Sequence, residues 1–265
     1  MYDFFAKTAW KMEQFPAYGF THLSLFFCGL LLTGFATYKL RNITEKKLDR
    51  ILFFTGLFLI ATEIYKQLFH IYYFDPVGSY KFWIFPFHLC SIPMYFCVII
   101  PFVKNKTVKK AMYSFLASYN LLGGFMAFIE PSGIISDYVI LTVHSFMWHM
   151  IIVFTGMIIG TNRNLIFRRS DYKYSVLCYI VLALTALTIN VVFSEASGGD
   201  LNMFFIGPPI SSIIVFHDIA EKFGWVANAI FYSAMLSLGA YIAFFPFTKM
   251  KKPETELSIT SETHE

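Results

Sequence analysis

Seven apolar runs, each long enough to cross a lipid bilayer as a helix, dominate this sequence. A helix needs about 20 mainly apolar residues to span the hydrocarbon core of a bilayer. The runs cover approximately residues 20–38, 51–73, 82–103, 111–129, 138–160, 174–193 and 225–247. They predict an all-α, polytopic membrane protein with seven transmembrane helices in a single domain over residues 1–252. The remaining segment, 253–265, is too polar to bury apolar surface and is expected to be disordered.

The composition supports a membrane protein and excludes several soluble classes. Of the 265 residues, 57% are hydrophobic and only 14% are charged, whereas about a quarter of the residues in a soluble domain are charged. A water-soluble enzyme, a disordered protein and a cytosolic nucleic-acid binder are therefore excluded, and no nucleic-acid partner is expected.

The basic residues predict the orientation of the chain in the membrane. Of the 21 Lys and Arg residues, 16 follow the first, third, fifth and seventh apolar runs, so they fall on alternate loops. Loops on the cytoplasmic side of a membrane carry an excess of Lys and Arg. The pattern therefore places the N-terminus outside and the C-terminus in the cytoplasm.

Polar side chains within the apolar runs share one level of the predicted bundle. At about 1.5 Å per residue, they lie roughly 5–17 Å below the outer surface, in the outer half of the bilayer. They come from five of the runs and are Glu63, Lys66, His70, His88, Cys90, Asn120, His144, His149 and Asn190. Ionisable groups at such depths usually face the interior of a bundle. We therefore predict a polar cavity that opens outward and is lined by these residues.

Each of these residues also has a purely structural interpretation. Glu63 and Lys66, one helical turn apart, are placed to neutralise each other in a seam between helices. Asn120 and Asn190 are of a type that forms hydrogen bonds between membrane helices. His144 and His149 are each compatible with a hydrogen-bonded core histidine.

The stretch Phe85-Pro86-Phe87-His88-Leu89-Cys90-Ser91-Ile92-Pro93 combines a thiol, an imidazole and two prolines. Pro93 lacks an amide hydrogen, so we expect it to kink the predicted third helix. Cys90 would act as a nucleophile only if a nearby base took its proton. His149 and His144 lie at depths that bracket the depth of Cys90. The sequence contains neither H-E-x-x-H nor C-x-x-C, so no metal and no cofactor are expected.

A resemblance to a known family adds to this interpretation. The stretch Pro86–Cys90, the position of His149, and the loop Asn202-Met203-Phe204 followed by Pro208-Pro209 resemble the YwaF-type bacterial integral membrane family. That family is similar to eukaryotic transmembrane protein 164, and the resemblance covers all seven apolar runs in order. The loop lacks the tyrosine of the family pattern Asn-Tyr-Met-Phe. The resemblance implies a multi-pass protein of a bacterial cell membrane that cleaves or transfers lipid acyl esters, with Cys90 as the nucleophile and His149 as the base.

The leading hypothesis is thus an intramembrane lipid acyltransferase or lipid-ester hydrolase with a Cys-His site open to the outer leaflet. Its expected partner is a membrane lipid, either a phospholipid or another acyl ester. Cys90 and His149 are the predicted catalytic residues, and the predicted substrate-binding residues are His88, Glu63, Lys66, His70, Asn120 and His144. A transporter or substrate-binding component with the same cavity and no covalent chemistry is the alternative, and a structural assembly partner is a third possibility.

Overall fold

The computed structural model describes residues 1–74, 80–208 and 213–250. Within these residues the chain is helical, and its extended pairing is limited to an isolated antiparallel bridge between Lys11 and Tyr138. The polar tail predicted to be disordered, 253–265, lies outside the described residues, as does Pro209 of the loop pattern. The protein is an integral, multi-pass membrane protein, because six of the described helices are long and apolar enough to cross a bilayer.

The helices are named in chain order. A short α1 (Tyr2–Ala6) precedes the first long helix, and α8 (Ile214–Phe223) precedes the last one. The long helices are α2 (Phe20–Leu40), α3 (Glu45–Phe74), α5 (Lys106–Ile129), α6 (Val139–Gly160), α7 (Arg169–Val192) and α9 (Trp225–Lys249), and a shorter apolar helix is α4 (Leu89–Phe102). The last turn of α3 and residues 116–120 of α5 are π-helical.

The third predicted run differs from the prediction in its start and in its shape. Regular helix begins only at Leu89, after a single 3₁₀ turn at Phe82–Ile84 and an irregular segment around Pro86. Pro93 lies in the first turn of the α-helical part of α4, and not in a helix interior, where a kink would be expected. An amide in that first turn has no partner within the helix, so proline is tolerated there.

The centre of the bundle is α5. Buried residues make up 67% of its most apolar stretch, compared with 17% in α2 and α9. The outer helices expose large apolar side chains such as Leu31, Leu184 and Ile230. Since a bilayer solvates apolar side chains, this distribution agrees with a bundle surrounded by lipid.

Ion pairs join the helices at one end of the bundle. The Lys109 ammonium lies 2.6 Å from Asp49 and 2.7 Å from Glu45, which joins α5 to α3. Lys110 lies 2.8 Å from Asp171, which joins α5 to the start of α7. The predicted site residues lie on parts of these helices that are well removed from this end.

A close approach between α5 and α6 depends on Gly156. A Cβ atom at this position would lie 2.7 Å from the Leu121 Cβ and 2.8 Å from the Leu116 carbonyl oxygen. By contrast, a Cβ atom at Gly34 of α2 would meet no heavy atom within 4 Å. Small residues at such interfaces allow membrane helices to pack closely.

We therefore expect Gly156→Ala to destabilise the bundle by about 1–3 kcal/mol, because the two helices must separate. Gly34→Ala is the matched control and should leave stability unchanged or slightly higher, since alanine favours helix. Thermal unfolding in detergent, followed by the loss of the monodisperse peak in size-exclusion chromatography, measures both. Equal shifts for the two variants would contradict the packing argument.

Candidate active site

A buried ion pair on α3 forms the charged part of the site. The Lys66 ammonium lies 2.9 Å from Glu63 Oε1, and the Gln67 side-chain amide donates to the same oxygen at 2.7 Å. Glu63 is 4% exposed, and its Oε2 is buried without a hydrogen-bond partner among the described residues. The i,i+3 spacing therefore brings the two charges together as the sequence suggested, but one carboxylate oxygen remains available.

The irregular segment that precedes α4 is held against this pair. Gln67 donates to the Ile84 carbonyl at 2.7 Å, and the Tyr80 hydroxyl donates to Gln67 Oε1 at 2.9 Å. Burial, together with the nearby Glu63 carboxylate, raises the pKa of Tyr80 to about 12, so its hydroxyl stays protonated as this hydrogen bond requires. His88 Nε2 lies 2.9 Å from the Trp83 carbonyl oxygen. These bonds fix the backbone immediately before Cys90.

Cys90 lies in the first turn of α4 and is anchored to α6. The indole nitrogen of Trp148 donates to the Cys90 carbonyl at 2.9 Å, and the Cys90 side chain packs against a cluster that includes Leu59 and Met94. Cys90 is surrounded by protein, yet it is only half-buried. The thiol is therefore partly exposed and partly packed against α3.

The two histidines of α6 have different surroundings. His149 Nδ1 lies 2.8 Å from the Ser145 carbonyl oxygen. Because a carbonyl oxygen only accepts, Nδ1 carries the hydrogen and the neutral ring has its lone pair on Nε2. His144 stacks on Trp148 with ring centroids 5.3 Å apart, faces the Thr62 backbone, and has a buried Nε2 without a partner among the described residues. The two differ in burial, since His149 is half-buried and His144 is buried.

Lys66 is the common neighbour of the predicted site residues. Its ammonium lies within electrostatic range of His88 and Cys90 near the start of α4, and of His144 and His149 on α6. The structure thus brings Lys66, Glu63, His88, Cys90, His144 and His149 into one region. A direct contact between Cys90 and His149 is not among the contacts of the described residues.

His70 and Asn120 lie at the margin of this region. The His70 ring stacks on Phe74 with centroids 5.0 Å apart and meets the edge of Trp83 at 5.9 Å. Asn120 Nδ2 points to the Ile152 carbonyl of α6 at 3.5 Å, which is the interhelical role considered from the sequence. Its Oδ1 is buried without a partner among the described residues. One amide hydrogen of Asn120 is therefore directed at α6.

The loop between α7 and α8 packs against the segment that precedes Cys90. Phe204 and Phe205 both have left-handed backbone conformations, with φ of 59° and 56°. This conformation costs a non-glycine residue about 1–2 kcal/mol. Asn190, expected to bond to another helix, instead bonds to this loop: its side chain pairs with the backbone of Met203. The loop is therefore fixed in a strained conformation.

Several residues of this region were not predicted from the sequence to belong to the site. Trp148 lies one turn after His144, so the helical spacing gave a usable signal for their stacking. Gln67 and Tyr80 connect α3 to the irregular segment before α4. That segment has no periodic sequence pattern from which these hydrogen bonds could be predicted. Tyr232 of α9 lies within electrostatic range of Cys90, and no feature of the sequence indicated this.

Within the described residues, no group of three or more His, Cys, Asp or Glu side chains is arranged to hold a metal ion.

Comparison with known proteins identifies the family of this chain. Comparison with curated proteins and with solved structures found no match. The model of the TMEM164 family matches residues 14–245, which is most of the chain and includes every long helix at least in large part. The protein belongs to the TMEM164 family.

Proposed function

We propose that this protein is an intramembrane lipid acyltransferase or lipid-ester hydrolase in which Cys90 is the nucleophile. The observation that carries the proposal is the grouping of a partly exposed thiol, a histidine whose Nδ1 bonds to a backbone carbonyl, and the Lys66 ammonium. A cysteine acts in acyl transfer when a neighbouring base removes its proton. The family resemblance noted from the Pro86–Cys90 stretch supports the same chemistry.

The proposal includes a topology. The segment before α4 and α4 itself together form a third crossing, which gives seven spans with the N-terminus outside and the C-terminus in the cytoplasm. The distribution of Lys and Arg over alternate loops supports this orientation. The site then opens to the outer leaflet of the membrane, which we propose to be a bacterial cell membrane.

The proposed reaction proceeds through a thioester on Cys90. His149 Nε2 takes the Cys90 proton, and the thiolate attacks the ester carbonyl carbon of a membrane lipid. The ester carbon–oxygen bond breaks, the acyl group becomes a thioester on Cys90, and the leaving alcohol takes the proton from His149. Water or the hydroxyl of a second lipid then attacks the thioester, which restores the thiol and yields a fatty acid or a new ester.

The charged pair has a binding role in this proposal. Lys66 is 23% exposed at its side chain, so its ammonium is available to an anionic group such as a lipid phosphate. Glu63 balances that charge when the site is empty. His88, whose Nε2 already bonds to the Trp83 carbonyl, is assigned to the lipid-binding region next to Cys90. We assign His144 and His70 to the same binding region.

The thioester is the testable intermediate. We expect purified protein in nanodiscs containing phospholipids with isotopically labelled acyl chains to acquire an acyl mass on the peptide that contains Cys90. Hydroxylamine should remove this mass, since it cleaves thioesters. Cys97→Ala is the matched control, because Cys97 lies on the same helix but is fully buried, and it should leave the adduct unchanged.

Cys90→Ala should abolish both the adduct and lipid turnover. Unchanged turnover in Cys90→Ala, for every lipid that the wild-type protein converts, would contradict the proposal. Movement of a labelled solute or lipid across proteoliposomes, with no adduct and no turnover, would instead support the transporter alternative.

A further inference from the structure

The strained turn at Met203–Phe205 has no part in the steps proposed above, yet its side chains reach the site. The Phe205 ring lies 6.2 Å from the His88 ring and 6.1 Å from the Tyr232 ring, measured between centroids. Phe204 is buried and lies 6.0 Å from Phe87. The two phenylalanines therefore pack on the residues that immediately precede Cys90 and on a tyrosine near it.

One side chain holds this turn in place. Asn190, near the end of α7, donates from Nδ2 to the Met203 carbonyl at 2.9 Å and accepts from the Met203 amide at 2.6 Å. Asn190 is fully buried, so water does not compete for these two bonds. An amide side chain that satisfies both backbone groups of one residue fixes the position and the orientation of that residue.

The far side of the turn is built around the same asparagine. A Cβ atom at Gly207 would lie 2.9 Å from Asn190 Nδ2, and the Gly207 amide donates to Asn202 Oδ1 at 2.7 Å. Gly207 thus leaves just enough space for the Asn190 amide. A Cβ atom at position 207 would press on that amide without altering its chemistry, and it would also lie 3.1 Å from Asn202 Oδ1.

We infer that Asn190 is a positioning residue for the reaction at Cys90: its two hydrogen bonds to Met203 hold Phe204 and Phe205 against Phe87 and His88. Residues in left-handed conformations persist only where their surroundings enforce them. Without the Asn190 amide the turn relaxes, Phe205 leaves His88 and Tyr232, and the segment before Cys90 loses its packing. The inference rests on the proposed acyl chemistry of Cys90.

The test compares Asn190→Leu with Asn190→Ala. Leucine keeps most of the volume but makes neither bond, whereas alanine also leaves a cavity, so equal effects identify the hydrogen bonds as the cause. We expect both to lower kcat by about 10- to 100-fold, because small displacements of reacting groups are costly, with KM for the lipid within about twofold of wild type. Thr188→Ala is the control on the same helix, since the exposed Thr188 hydroxyl bonds to the Leu184 carbonyl of its own helix.

Gly207→Ala gives an independent test, because it displaces the Asn190 amide while leaving residue 190 intact. We expect it to reproduce the kcat loss. A loss in the Asn190 variants that appears in KM alone, or an unchanged kcat in Asn190→Leu, would overturn the inference.

A second measurement separates this inference from the proposed function. In a background where Cys28, Cys97 and Cys178 are alanine, maleimide alkylation reports on Cys90 without any turnover. We expect Asn190→Leu to accelerate this alkylation severalfold relative to Thr188→Ala, because Phe205 no longer packs on His88, two residues before the thiol. Accelerated alkylation in a protein whose Cys90→Ala variant retains turnover would refute the acyl chemistry but not the packing role. An unchanged alkylation rate would refute the positioning role itself.

Discussion

Replacing His149 by alanine is expected to lower lipid turnover by about 10²- to 10⁴-fold, the usual contribution of a general base. His149 Nδ1 is committed to the Ser145 carbonyl, so Nε2 is the only ring nitrogen that can accept the Cys90 proton. The loss should appear in kcat, since alanine removes the base and leaves the Lys66 ammonium in place. Steady-state turnover of a labelled phospholipid in nanodiscs measures the effect, and added imidazole should restore part of the rate.

The matched variant is His144→Ala, which removes the neighbouring imidazole from the same helix. His144 stacks on Trp148 and faces the Thr62 backbone. We expect His144→Ala to lower the stability of the protein more than the rate of proton transfer. Added imidazole should therefore not restore the activity of this variant. Full activity in His149→Ala together with an imidazole-rescued loss in His144→Ala would reassign the base to His144.

Breaking the ion pair from one side is expected to produce the largest loss of stability. Lys66→Met leaves the buried Glu63 carboxylate without its cation. Removing one partner of a fully buried pair costs about 3–5 kcal/mol, and because the Lys66 side chain is 23% exposed we expect a loss towards the lower end of that range. The double variant Glu63→Gln/Lys66→Met removes both charges and should recover most of that stability. Thermal unfolding of wild type, both single variants and the double variant gives the coupling energy of the pair.

Turnover should behave differently from stability in this set of variants. The double variant should recover stability but lacks the ammonium proposed to bind the lipid phosphate. Its KM for the lipid should therefore be higher than that of the wild-type protein. A Lys66→Met protein as stable as wild type would show that the pair does not hold α3 in its present packing. Wild-type KM in the stable double variant would remove the proposed binding role of Lys66.

The sequence predicts the long helices well because each is a continuous apolar run with few competing signals. The start of α4 is harder to predict from the sequence, because hydropathy counts Phe, Trp and Ile as apolar whether or not the backbone is helical. Pro86 and Pro93 mark the irregular stretch and the first turn of the helix, but hydropathy does not distinguish these from a kink. The depth estimate at 1.5 Å per residue grouped the site residues by level.

Level alone does not give the direction in which a side chain points around its helix. For this reason the sequence grouped His144 and His149 with Cys90 but left open which one faces it. The contacts of Asn190 with Met203 and of Gln67 with Ile84 depend on loop conformations that no periodic pattern records. The left-handed backbone of Phe204 and Phe205 is equally invisible, because phenylalanine has no preference for it.

The length of α4 has a consequence for the segment that precedes it. From Leu89 to Phe102 the helix rises about 21 Å at 1.5 Å per residue, whereas the hydrocarbon core of a bilayer is about 30 Å thick. The irregular segment before α4 therefore supplies the rest of the proposed third crossing. Lipid offers no hydrogen-bond partners to the backbone of such a segment, so it must be shielded by protein, as Gln67 does at the Ile84 carbonyl.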